Sequence, residues 1–507
     1  MVRRFLKPFL YLLPAALLAA TGAEAREWTV VGPRALGMGG ASVAVANDAS
    51  ASYWNPAAYG FFKSKDGGYY GDRSWSATLD GGFGMQVHED LGEQLDNIFQ
   101  IDFGQFDNGV IQASDVSDFL QIIDNLREFD ANDARALTVR INGGLRAQVG
   151  RFGIGGYTFS EISAKGDLDL VNIAPTSLTT DVDVTAQFGT STNFNNGSAV
   201  PANQDYFSSA DETALISQIG GMSGWTTAEA QSFVNSVEYG ILQAQASGAT
   251  IPSTAEIVTL VTSAAEVASV ADTGGSLSDN ESQLLFKGIA LFEFPLTYGH
   301  PITDDFAVGA NIKYMKARVY NTSVRVFDTD FADALSEAQD DYLDSSNFGI
   351  DLGALYRFGD DLRVGLVARN VNSPAFDMKQ LLPGDEDSME ESAQVRAGIA
   401  WMPLDFITLA LDYDLTQNDT TVSDNYKSQN LGGGVELDVL TILQLRAGLY
   451  QNMAESDIGP VYTAGFGLNL WVVNLDFGAS LSPDSTTIDG NDIPKEFTAE
   501  LALSALF

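Results

Sequence analysis

Along the second half of the chain, apolar side chains recur at every second position. Phe497, Ala499, Leu501, Leu503, Ala505 and Phe507 share one face of the last segment, and Thr498, Glu500, Ala502 and Ser504 fill the other. Val473, Leu475, Phe477, Ala479 and Leu481 alternate with Asn474, Asp476, Gly478 and Ser480. Ile407, Leu409, Leu411 and Tyr413 alternate with Thr408, Ala410, Asp412 and Asp414, and Phe306, Val308, Ala310, Ile312 and Tyr314 with Ala307, Gly309, Asn311 and Lys313. A period of two is that of a strand, whose successive side chains point to opposite faces. The segments run to ~10 residues, the length of a tilted strand that crosses a bilayer. Lipid would take the apolar face and a lumen the small and charged one, with every backbone group paired to a neighbouring strand.

Fourteen such strands are expected, over 74–86, 137–149, 152–165, 283–298, 305–320, 346–357, 361–371, 391–402, 406–417, 427–438, 441–452, 460–470, 472–482 and 496–507. Their connections alternate. Short ones fall near 150–151, 300–304, 359–360, 403–405, 438–441 and 470–471; long ones at 87–136, 166–282, 323–345, 373–390, 418–426, 453–459 and 484–494. Short turns belong on the periplasmic side and long loops outside. With both ends periplasmic the strand number is even, so residues 67–86 supply one strand and not two. The pattern therefore predicts an all-β chain, a 14-stranded antiparallel transmembrane β-barrel. A soluble β-sandwich would alternate too, but it gives no reason for the terminal aromatic Phe507 or for the alternating loop lengths.

Two long loops carry a helical period. Val116 to Glu128 places Phe119, Ile122, Ile123 and Leu126 on one face. Residues 205–272 read as three helices opened by the capping pairs Ser208/Asp211, Thr226/Glu229 and Ser253/Glu256. The 166–282 loop is too long to be structureless, and a helical extracellular insertion over the outer mouth is expected.

The N-terminus sets the compartment. Arg3, Arg4 and Lys7 precede an apolar run from Phe9 to Ala20, followed by Ala23-Glu24-Ala25. This is the pattern of a secretory signal peptide, residues 1–25, cleaved after Ala25. The run is shorter than the ~20 residues of a membrane span. Composition then removes whole classes of function. The 507 residues hold no cysteine and two histidines, His88 and His300, with a net charge of -40. Disulfides, thiolate metal sites and cysteine nucleophiles are excluded. Nucleic acid is not a partner, because so few cations cannot neutralise phosphates. Asp385-Glu386-Asp387 and Asp328/Asp330 lack the spaced ligand set of a calcium loop, so no metal or other cofactor is expected. The two histidines are expected as turn or surface residues on opposite faces of the barrel, His88 at the edge of an outer loop and His300 in a periplasmic turn. Neither has a serine partner in a matching motif, so the chain is not read as an enzyme.

The most specific stretch is residues 32–58, GPRALGMGGASVAVANDASASYWNPAA. Gly37, Gly39 and Gly40 permit close backbone packing and positive φ; a short β-like stretch from Ser42 to Val45 follows, and Asn55-Pro56-Ala57 ends it. The combination resembles the start of the FadL-type outer-membrane family, with its relatives named after PorV and after the conjugation-operon protein TraF. VGLVARNVNSP (364–374) and GHPITDDFAVGANIKYM (299–315) also look like the TraF-type relatives.

The resemblance implies that residues 26–66 fold back as a hatch plugging the lumen of a barrel over 67–507, with Gly37, Gly39, Gly40, Asn55, Pro56 and Ala57 as hatch residues. It implies transport of hydrophobic small molecules or lipids, such as long-chain fatty acids or hydrocarbons, across the Gram-negative outer membrane. In the family a kink in the third strand opens the wall sideways; the third strand here contains Gly153, Gly155 and Gly156, and glycine in a strand marks bulges and bends. Phe507 resembles the terminal assembly signal read by the barrel-assembly machinery. The chain is expected to act as a monomer. The alternative is a non-transporting partner in envelope assembly, secretion or conjugal transfer; a simple diffusion porin is disfavoured, because a hatch would block its lumen. Lumenal charges of both signs, Lys313, Asp351, Arg363, Arg369, Asp412, Asp414, Arg446, Asp476 and Glu500, suit a plug held by polar contacts.

Overall fold

The computed structural model describes residues 26–62, 75–94, 132, 134–167, 206–221, 226–247, 253–254, 257–258, 261–262, 281–325, 338–439, 442–470, 472–488 and 490–506. The expected signal peptide, the expected helix from Val116 to Glu128, Asp328, Asp330 and Phe507 lie outside the described residues.

Fourteen strands form one closed antiparallel sheet. In chain order they are β1 (Trp75–Val87), β2 (Leu137–Val149), β3 (Phe152–Asp167), β4 (Gln283–Pro301), β5 (Phe306–Arg325), β6 (Tyr342–Phe358), β7 (Leu362–Arg369), β10 (Gln394–Leu404), β11 (Ile407–Asp414), β12 (Asn430–Val439), β13 (Leu443–Asn452), β14 (Val461–Leu470), β15 (Val473–Leu481) and β18 (Glu496–Leu506). Two short hairpins rise from the long loops, β8 (Ala375–Asp377) with β9 (Ser388–Glu390) and β16 (Ser485–Ile488) with β17 (Asn491–Pro494). Residues 75–87 make one strand, as parity requires. It pairs with β2 on one side and, from Ser76↔Leu506 to Gln86↔Glu496, with β18 on the other. That seam closes the barrel and leaves no unpaired edge.

The pleat sends apolar residues outward. Leu501 is 53% exposed and Leu503 50%, whereas Ala502 between them is 5% exposed and Glu500 before them 2%. Leu79, Phe83, Ile141, Leu145, Phe152 and Ile312 are exposed in the same way. This reverses the arrangement of a water-soluble protein and matches an apolar solvent outside. No helix among the described residues is long and apolar enough to cross a membrane.

Among the described residues, helices lie in the β3–β4 connection and in residues 26–62, with a further turn at 91–94. In the long β3–β4 connection, α3 (Ser209–Ile219) and α4 (Thr227–Ser247) share a core with Phe207, Leu215, Val234, Val237, Ile257 and Val261. Ser208 caps α3 by accepting from the Asp211 N–H at 3.2 Å. The other two capping pairs involve Glu229 and Glu256, which are not described at side-chain level. Residues 26–62, which run inside the barrel, hold α1 (Pro33–Gly37), α2 (Ala51–Trp54) and a 3₁₀ turn (Pro56–Phe61). Pro33 starts α1 with φ already set for a helix. Gly39 and Gly40, at φ 66° and 78°, turn the chain out of it, and the Gly40 N–H closes on the Ala35 carbonyl at 2.8 Å.

Candidate functional site: the filled lumen

Residues 26–62 cross the lumen from wall to wall. Helix α1 packs on β14 and β15, and the 3₁₀ turn packs on β4, β5 and β6, nearly opposite in the ring of strands. The approach is close because the wall is bare where the segment touches it. A Cβ on Gly309 of β5 would fall on the Pro56 carbonyl carbon and the Ala57 nitrogen, and one on Gly353 of β6 would fall on Asn55 Oδ1. Across the lumen, a Cβ on Gly432 of β12 would strike the Gly39 carbonyl, and one on Gly448 of β13 would lie 2.6 Å from the Gly39 nitrogen. Gly37 sits 3.2 Å, by the same construction, from the Gly465 backbone of β14.

Buried backbone groups need partners, and inward side chains supply them. Asn55 Oδ1 accepts from the Ala57 N–H at 3.1 Å, which caps the 3₁₀ turn, while its Nδ2 donates to the Val43 and Ala354 carbonyls at 3.2 and 3.1 Å. Pro56, with no N–H, starts that turn at no hydrogen-bond cost. Asp412 of β11 accepts from the Ser42 and Val43 N–H groups at 2.7 and 2.9 Å. This corrects the expected β-like stretch from Ser42 to Val45. The segment is a turn, with Val45 and Ala46 N–H groups bonded to the Ser42 carbonyl, because its donors face a carboxylate and not a strand. Thr463 of β14 donates to the Gly37 carbonyl and accepts from the Gly39 N–H. Arg34 forms a two-pronged pair with Glu436 of β12 at 2.9 and 2.7 Å; Glu436 also accepts from Arg446, which reaches on to Asp476 at 2.6 Å.

The middle of the segment is aromatic. Trp28, Tyr53 and Trp54 pack with Tyr157 and Phe159 of β3, ring centroids 5.3–6.4 Å apart. Guanidinium groups cover these faces: Arg369 lies 4.1 Å from the Tyr53 centroid, Arg396 4.6 Å from Trp28, Arg146 5.4 Å from Tyr157 and Arg26 5.7 Å from Phe159. Each has a carboxylate: Glu293 for Arg369, Asp414 for Arg396, Asp80 for Arg146 and Glu391 for Arg26. Lys313 joins Glu293 and Asp351 at 3.3 and 3.0 Å and donates to Asn370. Arg26–Glu391 ties the segment to the wall, and the other pairs join wall strands around it; all are buried, and removing one member of such a pair costs far more than the pair contributes.

Of the lumenal charges read from the alternation, Lys313, Asp351, Arg363, Arg369, Asp412, Asp414, Arg446 and Glu500 are buried toward the interior. Glu436, Glu293, Arg396 and Arg146 were not singled out. The same alternation marks them, since each stands on the glycine- and charge-bearing face of its strand.

His88 differs from expectation. It is 2% exposed, not a surface residue, because the long loops fold over it. Its Nε2 lies 3.0 Å from Thr138 Oγ1, its ring meets Tyr426 edge-on at 4.8 Å, and its Nδ1 lies 3.7 Å from Asp457. His300 is exposed at the short-turn end of β4, 3.1 Å from the Tyr298 hydroxyl. Burial pushes the Asp457 carboxyl up, but His88, the Tyr426 hydroxyl and the Glu89 N–H together hold it down at about 2. A carboxyl depressed in the folded state stabilises it fully above its unfolded value of 3.8. That contribution is lost as pH falls from there through about 2. Protease sensitivity of the 453–459 loop is expected to rise over that window. Asp457→Ala should show the raised sensitivity already at neutral pH; a loop equally protected in both proteins would contradict this.

The candidate glycines of the third strand occupy distinct places. Gly153 faces the lumen, and a Cβ there would strike the Tyr59 ring of the 3₁₀ turn. Gly155 and Gly156 coincide with a break in pairing. The β3–β4 ladder runs from Phe152↔Tyr298 to Ile154↔Leu296, resumes at Tyr157↔Glu293 and passes over the two glycines. Pro295, opposite Gly155, offers no N–H to bridge it.

A closed antiparallel barrel whose own N-terminal segment fills its lumen defines a membrane-type β-barrel of plugged architecture. The chain belongs to the family described as "F plasmid transfer operon, TraF, protein", whose model matches residues 91–414. Among solved structures it is similar to the Pseudomonas putida toluene transporter TodX, with a TM-score of 0.42 and 12% identity over 94% of this chain and 98% of that one. It is similar to the CymD monoaromatic hydrocarbon channel, with a TM-score of 0.43 and 11% identity over 95% and 98% of the two chains. It is also similar to a Pseudomonas aeruginosa FadL homologue, with a TM-score of 0.41 and 11% identity over 96% and 99%. None of the curated proteins compared with the chain matches it.

Proposed function

We propose that this protein is an outer-membrane transporter for hydrophobic compounds, of the long-chain fatty acid or hydrocarbon class, which leave the barrel sideways into lipid. Residues 26–62 act as the hatch and residues 1–25 as a cleaved signal peptide; Phe507 acts as the terminal signal that the assembly machinery reads. The short turns face the periplasm. The observation that carries the reading is the break in the β3–β4 ladder at Gly155 and Gly156. An apolar molecule gains nothing from a watery pore. It does gain from a gap in the wall that opens on lipid, between the outward Ile154 and the outward Phe294 and Leu296. The lumenal side of the gap is lined by Tyr157, which shares a 2.6 Å hydrogen bond with Ser52 of the hatch.

Replacing both glycines with valine should close the gap and reduce uptake of a labelled long-chain fatty acid by about tenfold, given how strongly a strand-interior glycine shapes its bend. Heat-modifiable mobility on gels reports that the variant still folds. Unchanged uptake by a folded variant would remove the side-opening proposal. A second reading, a partner in envelope assembly or secretion, is favoured by the family itself and by the separate core of α3 and α4. Native mass spectrometry of protein purified in mild detergent separates the two. A bound fatty acid or hydrocarbon supports the transporter, and a co-purifying protein without one supports the partner.

A further inference from the structure

One charged spot interrupts the apolar exterior of the barrel. The strand registers set which residues share the outward face across β4, β5 and β6. Phe294, Tyr314 and Phe348 align, then Phe292, Lys316 and Ser346, then Ala290, Arg318 and Asp344, and last Gly288, Tyr320 and Tyr342. Met315, Ala317 and Val319, between them on β5, are fully buried, so Lys316 and Arg318 point away from the lumen. Among the described residues of the barrel strands, no other lysine or arginine stands on this outward parity. Toward the long-loop end of other strands the exposed outward residues include Ile141, Leu411, Leu449, Tyr462 and Leu481.

Strand length fixes the height of the spot. β5 begins at Phe306, and Lys316 stands ten positions on. Ten residues at ~3.3 Å each and a tilt of ~40° climb ~25 Å, the height of the lipid-facing band of a barrel. β5 runs on to Arg325, paired with β4 as far as Gln283, so the wall stands clear of the bilayer above that level. The outward side chains change in the same order. Ile312, Ile350 and Phe348 are hydrocarbon and exposed. Tyr314 follows and donates to Ser346 Oγ at 3.0 Å. Lys316 and Arg318 come next, and beyond them Tyr320 meets Tyr342 edge-on at 5.5 Å.

The two cations share one carboxylate. Asp344 lies 3.6 Å from Lys316 Nζ and 3.2 Å from Arg318 Nε, and the Arg318 guanidinium lies 4.6 Å from the Tyr342 centroid. Lys316 still leaves 47% and Arg318 43% of its side chain accessible. Surplus positive charge therefore faces the bilayer edge of a chain whose net charge is -40. Phosphate oxygens are the natural partners of such a pair. A hydrocarbon zone below it and an aromatic zone above it match a lipid whose phosphates lie between acyl chains and sugars.

We propose that Lys316, Arg318, Tyr320 and Tyr342 form a binding site for a phosphorylated glycolipid of the outer leaflet. Its phosphate sits on the two cations, its acyl chains lie along Ile312 and Phe348, and its sugars meet the two tyrosines. The proposal rests on the long loops facing outside and is independent of transport. Binding in detergent does not depend on orientation, so the site is tested apart from it. Full-length protein in mild detergent is titrated with lipid A carrying both phosphates, and native mass spectrometry reads the bound fraction. Lipid A should bind about tenfold or more tighter than the same lipid stripped of phosphate. The Lys316→Gln/Arg318→Gln double variant should lose about tenfold, with heat-modifiable mobility reporting that it folds. Asp344→Asn should bind about threefold tighter, because it frees both cations. Arg151→Gln, which removes an exposed cation at the short-turn end, should bind as wild type does. Equal binding of the stripped lipid would overturn the proposal, as would wild-type affinity in the folded double variant, or unchanged or weaker binding by Asp344→Asn. Phosphatidylglycerol binding as tightly as lipid A, or displacement of lipid A by millimolar inorganic phosphate, would show a plain anion site and overturn it as well.

Discussion

Valine at both Gly309 and Gly353 is expected to push Asn55, Pro56 and Ala57 off the barrel wall. The new side chains would occupy the space of the Pro56 carbonyl carbon, the Ala57 nitrogen and Asn55 Oδ1. Two of those three atoms are backbone, so no rotamer change relieves the clash. Overpacking of this kind costs ~1–3 kcal/mol per site, and the upper end applies where backbone must move. The Asn55 bonds to Val43 and Ala354 would be lost together with the seat. The measurable consequence is access to the interior: trypsin should cut after Arg34 at least about tenfold faster, since each ~1.4 kcal/mol is a factor of ten in an equilibrium. Gly81→Val is the control, because Gly81 faces outward and its nearest neighbour would be the Asn142 carbonyl at 3.6 Å. Equal cleavage of the Gly309/Gly353 variant and wild type would show that the segment does not depend on these seats.

Glu436→Ala should destabilise the folded barrel by about 3 kcal/mol, the lower end for breaking a buried ion pair. The lower end applies because Arg34 keeps 22% of its side chain accessible and Arg446 retains Asp476. The loss falls on two guanidinium groups at once, one from the N-terminal segment and one from β13. Removing Arg34 as well should recover part of it, because the stranded charge goes with its partner. The midpoint of the heat-induced gel shift gives the ranking: wild type highest, the Arg34→Ala/Glu436→Ala double variant next, Glu436→Ala lowest. A single variant as stable as wild type would mean that the pair is not a tether.

The barrel was legible from the sequence because its determinant is local. Each strand must show lipid an apolar face, so Leu501, Leu503 and their counterparts recur with period two wherever a strand crosses. Parity then settled residues 75–87 as one strand. The inward face carries less information. Glycine and charge stand there whether the neighbour is water or another part of the chain. Alternation alone therefore placed Asp412 on the inside without indicating that it binds Ser42 and Val43, and it gave no reason to choose Glu436 or Arg146. The Ser42–Val45 stretch was misread for the same reason. Its valines alternate like a strand, yet its donors are taken by a carboxylate 370 positions away in sequence for Ser42. His88 was misread because Thr138, Tyr426 and Asp457, which bury it, come from three other segments.

By itself, then, the sequence determined the strands, their number, their facing and which loops are long. These follow from the bilayer's demand for an apolar exterior and paired backbone, imposed on every strand separately. The tertiary structure alone decided what the lumen holds. Only when fourteen strands close do Gly309 and Gly353 meet Asn55-Pro56-Ala57, four guanidinium groups meet one aromatic cluster, and the β3–β4 pairing pass over Gly155 and Gly156. Those contacts join residues hundreds of positions apart, and their energies depend on exclusion from water that no local pattern records.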